Sequence, residues 1–269
     1  MKGRVLIVAG SDSGGGAGIQ ADIKAVTALG AFAMTAVTAL TAQNTLGVHG
    51  VVGIDPAFIR QQMAVVLDDL GADAIKTGML HSVPVITAVC EEIALRAARI
   101  PLVADPVMVA KGGHPLLDPD AVGTLKARLL PLATVITPNL PEAEVLTGRP
   151  IRDVAGMRDA AAALRALGVP AVLLKGGHLE GDTVTDLLVT AEGSEEFTDP
   201  RIATRHTHGT GCTLASAIAA GLAQGMALRD AVVRARAYVR AAIAAAPGYG
   251  AGHGPLDHGI TFDPARLGR

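Results

Sequence analysis

Tryptophan is absent from the 269 residues, and two tyrosines with four phenylalanines leave aromatic side chains at 2% of the chain. A core must therefore be filled by closely packed Ala, Val, Leu and Ile, which suits layers of helix and sheet. Cysteine is equally scarce. Cys90 and Cys212 could close at most one disulfide, and their spacing matches neither a metal site nor an oxidised framework. No apolar run reaches the roughly 18 residues needed to span a bilayer, and the run in MKGRVLIVAG is too short for a secretory h-region. The formal charge of -2 gives neither nucleic acid nor a membrane surface a long-range attraction. These absences point to a cytoplasmic protein with a small-molecule ligand, no nucleic-acid partner and no membrane partner.

What is present is glycine, 32 residues of it, and half the chain is hydrophobic. A chain of this length can bury roughly 75% of its unfolded surface as one unit, and no linker or internal repeat divides it, so residues 1–269 read as a single domain. Short β-branched runs alternate with helical patterns, the signature of βαβ units around a largely parallel sheet. The predicted strands cover 4–9, 35–40, 48–54, 73–78, 101–105, 134–138, 171–176 and 184–190. Between them the predicted helices cover 15–29, 56–69, 82–98, 119–130, 140–147, 153–168, 211–224 and 227–245. Asp55-Pro56 and Asp118-Pro119 mark helix starts, and Gly71 and Gly168 mark stops. The stretch 195–208 reads as a polar hairpin or flap.

Ligands of such sheets sit beyond the carboxyl ends of the strands, so the strand-ending loops are where chemistry is expected. HGTGCT (208–213) has the form of an anion hole, with Gly209 and Gly211 letting amides converge at a positive helix end; the alternative is a turn before a core helix. AGSDSGGGAGIQAD (9–22) has Ile19 where a third dinucleotide-fingerprint glycine would fall, and no GxxxxGK[ST] string occurs. In TPNLPEAE, Asn139 and Glu142 are three apart at a helix start, placed to hold a hard cation directly or through water, or merely to cap the helix. Asp105 ends a buried strand, where a carboxylate needs a partner or an ion, or caps the next segment. Lys175 ends another strand before two glycines, where it could reach phosphate or stand at a surface turn. The histidines, His206, His208, His253 and His258 among them, lack metal-site spacing and read as loop residues.

Taken together, AGSDSGGGAGIQAD, TAQNT, KTGML, ADPVM, ITPNLPEAE, LLKGGH, THGTGCT and GHGP, in that order from residue 9 to residue 255, resemble the hydroxymethylpyrimidine/phosphomethylpyrimidine kinase family of the ribokinase-like superfamily. The resemblance implies a three-layer α/β/α sandwich with a largely parallel central sheet. It implies ATP and Mg²⁺, and phosphorylation of 4-amino-5-hydroxymethyl-2-methylpyrimidine and then of its monophosphate, in thiamine biosynthesis. By motif match, Gln43 would recognise the pyrimidine, with Asp22 and Met79 helping to form its pocket. Gly209 and Gly211 would supply the anion hole, and Thr210, Gly211 and Lys175 would hold nucleotide phosphate. Asn139, Glu142 and Asp105 would serve the metal. Cys212 stands where most of the superfamily has an aspartate base. The family is often dimeric, which makes a homodimer the expected assembly.

A thiol at a helix N-terminus is expected to have a lowered pKa and a useful thiolate fraction near neutrality. Phosphoryl transfer has a loose transition state, so a weak base would suffice. Gln43, whose amide both donates and accepts, suits the paired edge of an aminopyrimidine. The competing readings are a pyridoxal kinase, a catalytically silent pyrimidine sensor and, less supported by its incomplete fingerprint, a nicotinamide-dependent oxidoreductase.

Overall fold

Period-two alternation in the first strand decides the layering. In β1 (Arg4–Asp12), Leu6 and Val8 join one buried cluster while Val5, Ile7 and Ala9 join the other, so both faces of the sheet are covered. The structure is a computed structural model and describes residues 2–110 and 112–263. Elements then follow in order: α1 (Gly18–Ala28), β2 (Phe32–Asn44), β3 (Gly47–Gly53), α2 (Pro56–Asp69), β4 (Ala74–Thr77), α3 (Val83–Arg96) and β5 (Leu102–Ala104). After them come α4 (Ala121–Thr124), β6 (Val135–Ile136), α5 (Leu140–Thr147), α6 (Val154–Arg165), β7 (Val172–Leu174), β8 (Thr183–Val189), β9 (Ser194–Pro200), α7 (Thr210–Ala223) and α8 (Leu228–Ala244).

The nine strands form one sheet in the order β3-β2-β1-β4-β5-β6-β7-β8-β9. Pairings from β2 through β7 are parallel, whereas β3, β8 and β9 add antiparallel edges. This is the expected three-layer α/β/α sandwich. Residues of α2, α3, α5 and α6 fill one cluster and residues of α1, α7 and α8 the other. The chain goes to opposite sides of β1 for β2 and β4, so a topological switch opens beside the carboxyl end of β1.

Three segments differ from the sequence expectation in kind or extent, beyond shifts of a few residues at other ends. The 35–40 strand extends over Phe32–Asn44, because its start pairs with β1 and its end forms a hairpin with β3. The flap at 195–208 begins as a true strand, β9, paired antiparallel with β8. The helix at 119–130 is α-helical only over Ala121–Thr124, then continues as a π turn (Leu125–Leu129) and a 3₁₀ turn (Leu130–Leu132) containing Pro131, which has no N–H to donate. Asp55 caps α2 by accepting from the Ala57 and Phe58 amides, and Gly71 and Gly168 have φ of 66° and 90°. Among the described residues, no helix is long and apolar enough to cross a membrane.

Small residues set how closely α7 and α8 approach. A Cβ built on Gly221 would lie 2.6 Å from the Ala231 Cβ. Gly221→Val should therefore push the two helices apart and destabilise the protein by about 1–3 kcal/mol, lowering Tm by roughly 3–10 °C in calorimetry.

Candidate active site

The site is built from what the parallel strands leave exposed at their carboxyl ends. A cavity of about 860 Å³ opens there, lined by Gly10 and Asp12 at the end of β1, Gln43 at the end of β2, Gly78 and Met79 after β4, Asp105 after β5, Asn139 and Glu142 after β6, and Lys175 after β7. The first turn of α7, Thr210 to Cys212, closes it from above. Residues distant in sequence thus share one volume of ligand size.

A backbone contact brings the glycine-rich loop to α7. Gly209, the N-cap of α7, has φ of 80°, and a Cβ there would collide with the Gly16 carbonyl; a Cβ on Gly16 would collide with the His208 ring. Glycine is required at both positions. The loop itself is folded around the Asp12 carboxylate, which accepts from the amides of Gly14, Gly16 and Ala17 at 2.8–3.1 Å. His208 Nε2 adds a fourth contact at 2.8 Å, tying the loop to the start of α7 across 196 residues of sequence. Burial would raise the Asp12 carboxyl, but the His208 ring and the amides outweigh it and hold it below the usual carboxylate range. These amides are consequently taken by Asp12, and the loop is a structural turn.

The amides left free lie at the start of α7, the turn where the sequence leads one to expect an anion hole. Thr213 N–H donates to the Gly209 carbonyl and Thr210 N–H to that of Thr207, no side chain caps the helix, and the amides of Gly211 and Cys212 have no partner among the described residues. Gly209 thus contributes the turn, whereas Gly211 and Cys212 contribute amides. The Thr210 hydroxyl is directed at the Thr207 carbonyl, 3.2 Å away. A Cβ on Gly211 would lie 3.1 Å from Lys175 Nζ, so glycine keeps that amide open to the lysine.

Lys175 reaches the same point from β7. It donates to Asp105 Oδ1 at 3.0 Å, which also accepts from the Thr137 hydroxyl at 2.9 Å. Burial alone would lower the lysine, but Asp105 and Glu142 outweigh it and keep it charged. Asn139 and Glu142 form a reciprocal capping box on α5: Asn139 Oδ1 accepts from the Glu142 amide at 2.9 Å and Glu142 Oε2 from the Asn139 amide at 2.8 Å. Among the described residues, no group of three or more His, Cys, Asp or Glu side chains is arranged to hold a metal directly. The two expected uses of this pair are not exclusive: the cap is formed through Asn139 Oδ1 and Glu142 Oε2, and the second Glu142 oxygen is not used by it. Burial pushes Glu142 up to about 7, with Lys175 pulling it back and Asp105 adding to the rise. One lysine against two carboxylates leaves a local deficit of positive charge, which a divalent cation fits.

The same cavity is also lined by Gln43, Met79 and Cys212. Gln43 Oε1 is 3.2 Å from the Thr41 hydroxyl, while Gln43 Nε2 lies 3.5 Å from a His208 nitrogen that faces Asp12. A proton on that nitrogen serves Asp12, which leaves the Gln43 amide protons for the cavity. Asp22 does not line the pocket it was expected to help form. It is fully buried behind it, accepting from Lys76 Nζ at 2.8 and 2.9 Å and from the Ser216 hydroxyl at 2.7 Å.

The Cys212 thiol also departs from expectation. Burial pushes it up to about 11; Lys76 and the Gly18 amide pull it down, and Asp22 and Asp105 push it further up. Desolvation and two nearby carboxylates outweigh Lys76 and the Gly18 amide, so the thiol is held above its ordinary range and is protonated at neutral pH.

The profile of phosphomethylpyrimidine kinase matches residues 12–257. The chain belongs to the phosphomethylpyrimidine kinase family. The hydroxymethylpyrimidine/phosphomethylpyrimidine kinase of Streptomyces coelicolor is 52% identical over 257 residues, covering 95% of this chain and 94% of that protein. The thiamine biosynthesis bifunctional protein ThiED of Geobacter sulfurreducens is also 52% identical, over 98% of this chain but 54% of its own length, so this chain spans about half of that relative. Among solved structures, an ADP complex of Bacillus subtilis pyridoxal kinase superposes with a TM-score of 0.90 at 38% identity, covering 98% of this chain and 100% of that one.

Within this family member, sequence reasoning took His208 for a loop residue, whereas it is buried against Asp12, a pairing with no local signature, and it passed over Lys76. The signal for Lys76 was available: a lysine inside β4, a strand buried at every position, must have a partner. It also passed over the apolar residues Val184, Ile202, Val239 and Ile243, which line the same cavity.

The raised thiol gives a direct test. Alkylation of Cys212 by iodoacetamide, followed on its peptide by mass spectrometry, should accelerate with pH toward a midpoint near 11. At pH 8 about one thiol in a thousand should react as thiolate. A midpoint near 7 would show the helix end prevailing over burial.

Proposed function

We propose that this protein phosphorylates 4-amino-5-hydroxymethyl-2-methylpyrimidine with ATP and then phosphorylates the monophosphate to the diphosphate, in thiamine biosynthesis. The observation that carries the reading is one cavity lined by Gly211 and Cys212, whose amides have no partner among the described residues, by Lys175, and by Gln43 and Met79. Family membership supports it, as do the substrates named for the Streptomyces relative.

In this mechanism the apolar residues Val184, Ile202, Val239 and Ile243 take the adenine, and the triphosphate runs toward the start of α7. Thr210 and Gly211 lie along the phosphates. The amides of Gly211 and Cys212, with Lys175, receive the negative charge of the migrating phosphoryl group. Asp105, Asn139 and Glu142 would hold Mg²⁺ through water or phosphate oxygens; when bound, the ion supplies charge neutralisation that Lys175 alone cannot. Gln43 donates its amide protons to a ring nitrogen, and Met79 covers the ring, aligning the hydroxymethyl oxygen for in-line attack. Because Cys212 is protonated, it is not poised as a base. The hydroxyl proton leaves late, as the loose transition state permits, and passes to a phosphate oxygen or to water.

We further propose a single functional domain, a cytoplasmic location, where ATP is made, and a homodimer. The homodimer reading is supported by the edge strand β3 and the apolar residues exposed beside it, Leu46 at 66% and Val52 at 64%. A second reading, pyridoxal kinase, is favoured by the likeness to the Bacillus subtilis enzyme. The two share a ring of similar size bearing a hydroxymethyl group.

Mass spectrometry after incubation with ATP, Mg²⁺ and either acceptor separates the readings. Masses corresponding to one and then two added phosphates are expected on the pyrimidine, whereas a product from pyridoxal alone would transfer the assignment. Cys212→Asp should lower kcat/KM for the monophosphate about tenfold more than for the alcohol, because a fixed carboxylate repels an anionic acceptor. An unchanged ratio of the two would remove the charge argument.

A further inference from the structure

Lys76 has the largest of the fully buried side chains, with no accessible surface, yet it borders the main cavity from beneath. A Cβ on Gly78 would lie 3.0 Å from its Nζ, so the ammonium sits just under the floor at the acceptor end, and a glycine there leaves it uncovered by a side chain. Its described partners are the two oxygens of Asp22, at 2.8 and 2.9 Å. Asp22 lies on the far side, in α1, and does not border the cavity. Its carboxylate also accepts from Ser216, which stands one helical turn beyond Cys212 on α7 and so shares its face.

The pair is neutral as a whole, but it is oriented. Its positive end points at the cavity and its negative end is held back by α1 and by the Ser216 hydroxyl. An ammonium carries three donors, and the carboxylate does not exhaust their field. Burial would favour a neutral lysine, but Asp22 and the other nearby anionic groups outweigh it and hold Lys76 well above the ordinary lysine range. Salt screens a buried dipole of this kind much less than it screens surface charges.

Resting on the kinase reading above, we infer that the Lys76–Asp22 pair is a specificity-determining element that favours a phosphate monoester over a neutral alcohol as acceptor. A monoester brings negative charge into a volume already holding the nucleotide phosphates. Lys175 is committed to Asp105 and to the donor end, so the counter-charge at the acceptor end comes from below. Lys76 acts through the floor and across Cys212, as a positioning residue, without touching the acceptor.

The test is the ratio of kcat/KM for the monophosphate to kcat/KM for hydroxymethylpyrimidine. It is measured in the wild type, in Asp22→Asn/Lys76→Gln, which removes both charges together, and in Ser216→Ala, with circular dichroism to verify folding. The double variant should lower the ratio roughly tenfold, mainly through a higher KM for the monophosphate. Ser216→Ala, a benign change in an alanine-rich helix, should lower it about two- to threefold, because Asp22 then neutralises the ammonium more completely. If the double variant does not fold, Ser216→Ala alone decides, and an unchanged ratio overturns the inference. Equal losses on both acceptors in a folded double variant also overturn it and leave the kinase reading standing. A wild type that phosphorylates neither acceptor refutes both.

Discussion

The geometry of the site depends on the contact of Gly16 with Gly209, where two backbones meet at a distance that no side chain would allow. That contact, reinforced by Asp12 and His208, fixes the start of α7 over the ends of β1, β4 and β5. Without it, the amides of Gly211 and Cys212 would have no defined position relative to Lys175 or Gln43. The buried Asp12 carboxylate, with three amides and a histidine around it, makes the junction polar, directional and costly to break. Such a junction between non-adjacent loops gives the alignment that phosphoryl transfer requires, since that chemistry asks little of covalent catalysis and much of position.

Charge is distributed over this frame in two lysine–carboxylate units. Lys175 with Asp105 stands at the donor end and Lys76 with Asp22 beneath the acceptor end, each ammonium 2.8–3.0 Å from its partner. They differ in setting. Lys175 is 14% exposed and faces a second carboxylate, Glu142, so its surroundings carry net negative charge that a cation can balance. Lys76 is fully enclosed and its pair is balanced, so what reaches the cavity is a field with little free charge. The first arrangement suits a ligand that arrives with its own metal. The second suits one that arrives with a modest negative charge and leaves again.

The fold was legible in the sequence because its signals are local and repeated: β-branched runs of fixed length, glycines after helices, and proline at helix starts. The segment limits failed where tertiary pairing extended a strand, as in β2, or where a continuous helical pattern changed its hydrogen-bond spacing, as at Leu125. Site legibility divided along the same line. Gln43, Lys175, Asp105 and the HGTGC turn all sit at strand ends or helix starts, where a reader knows to look. Asp12 and His208 are 196 residues apart, and only the folded chain pairs them. The position of Asp22 was misjudged because its place in α1 is visible in sequence but the direction of its side chain is not. Cys212 was misjudged for an energetic reason: a helix end can be read from glycines, whereas the desolvation that overrides it depends on everything packed around the sulfur.

That protonated sulfur bears on how one cavity could take two acceptors of different charge. A carboxylate at residue 212 would assist removal of the alcohol proton but would stand against a phosphate monoester at close range. A neutral thiol forgoes base strength and carries no repulsion, and the loose transition state makes the forfeited base strength a small loss. With the thiol neutral, the field at the acceptor end is set by the layer below it, where Lys76 faces up and Asp22 faces away. The substitution of sulfur for a carboxylate and the burial of a lysine under the floor are then two parts of one electrostatic arrangement. The thiol removes a negative charge from the acceptor's path, and the ion pair beneath it turns what is left slightly positive.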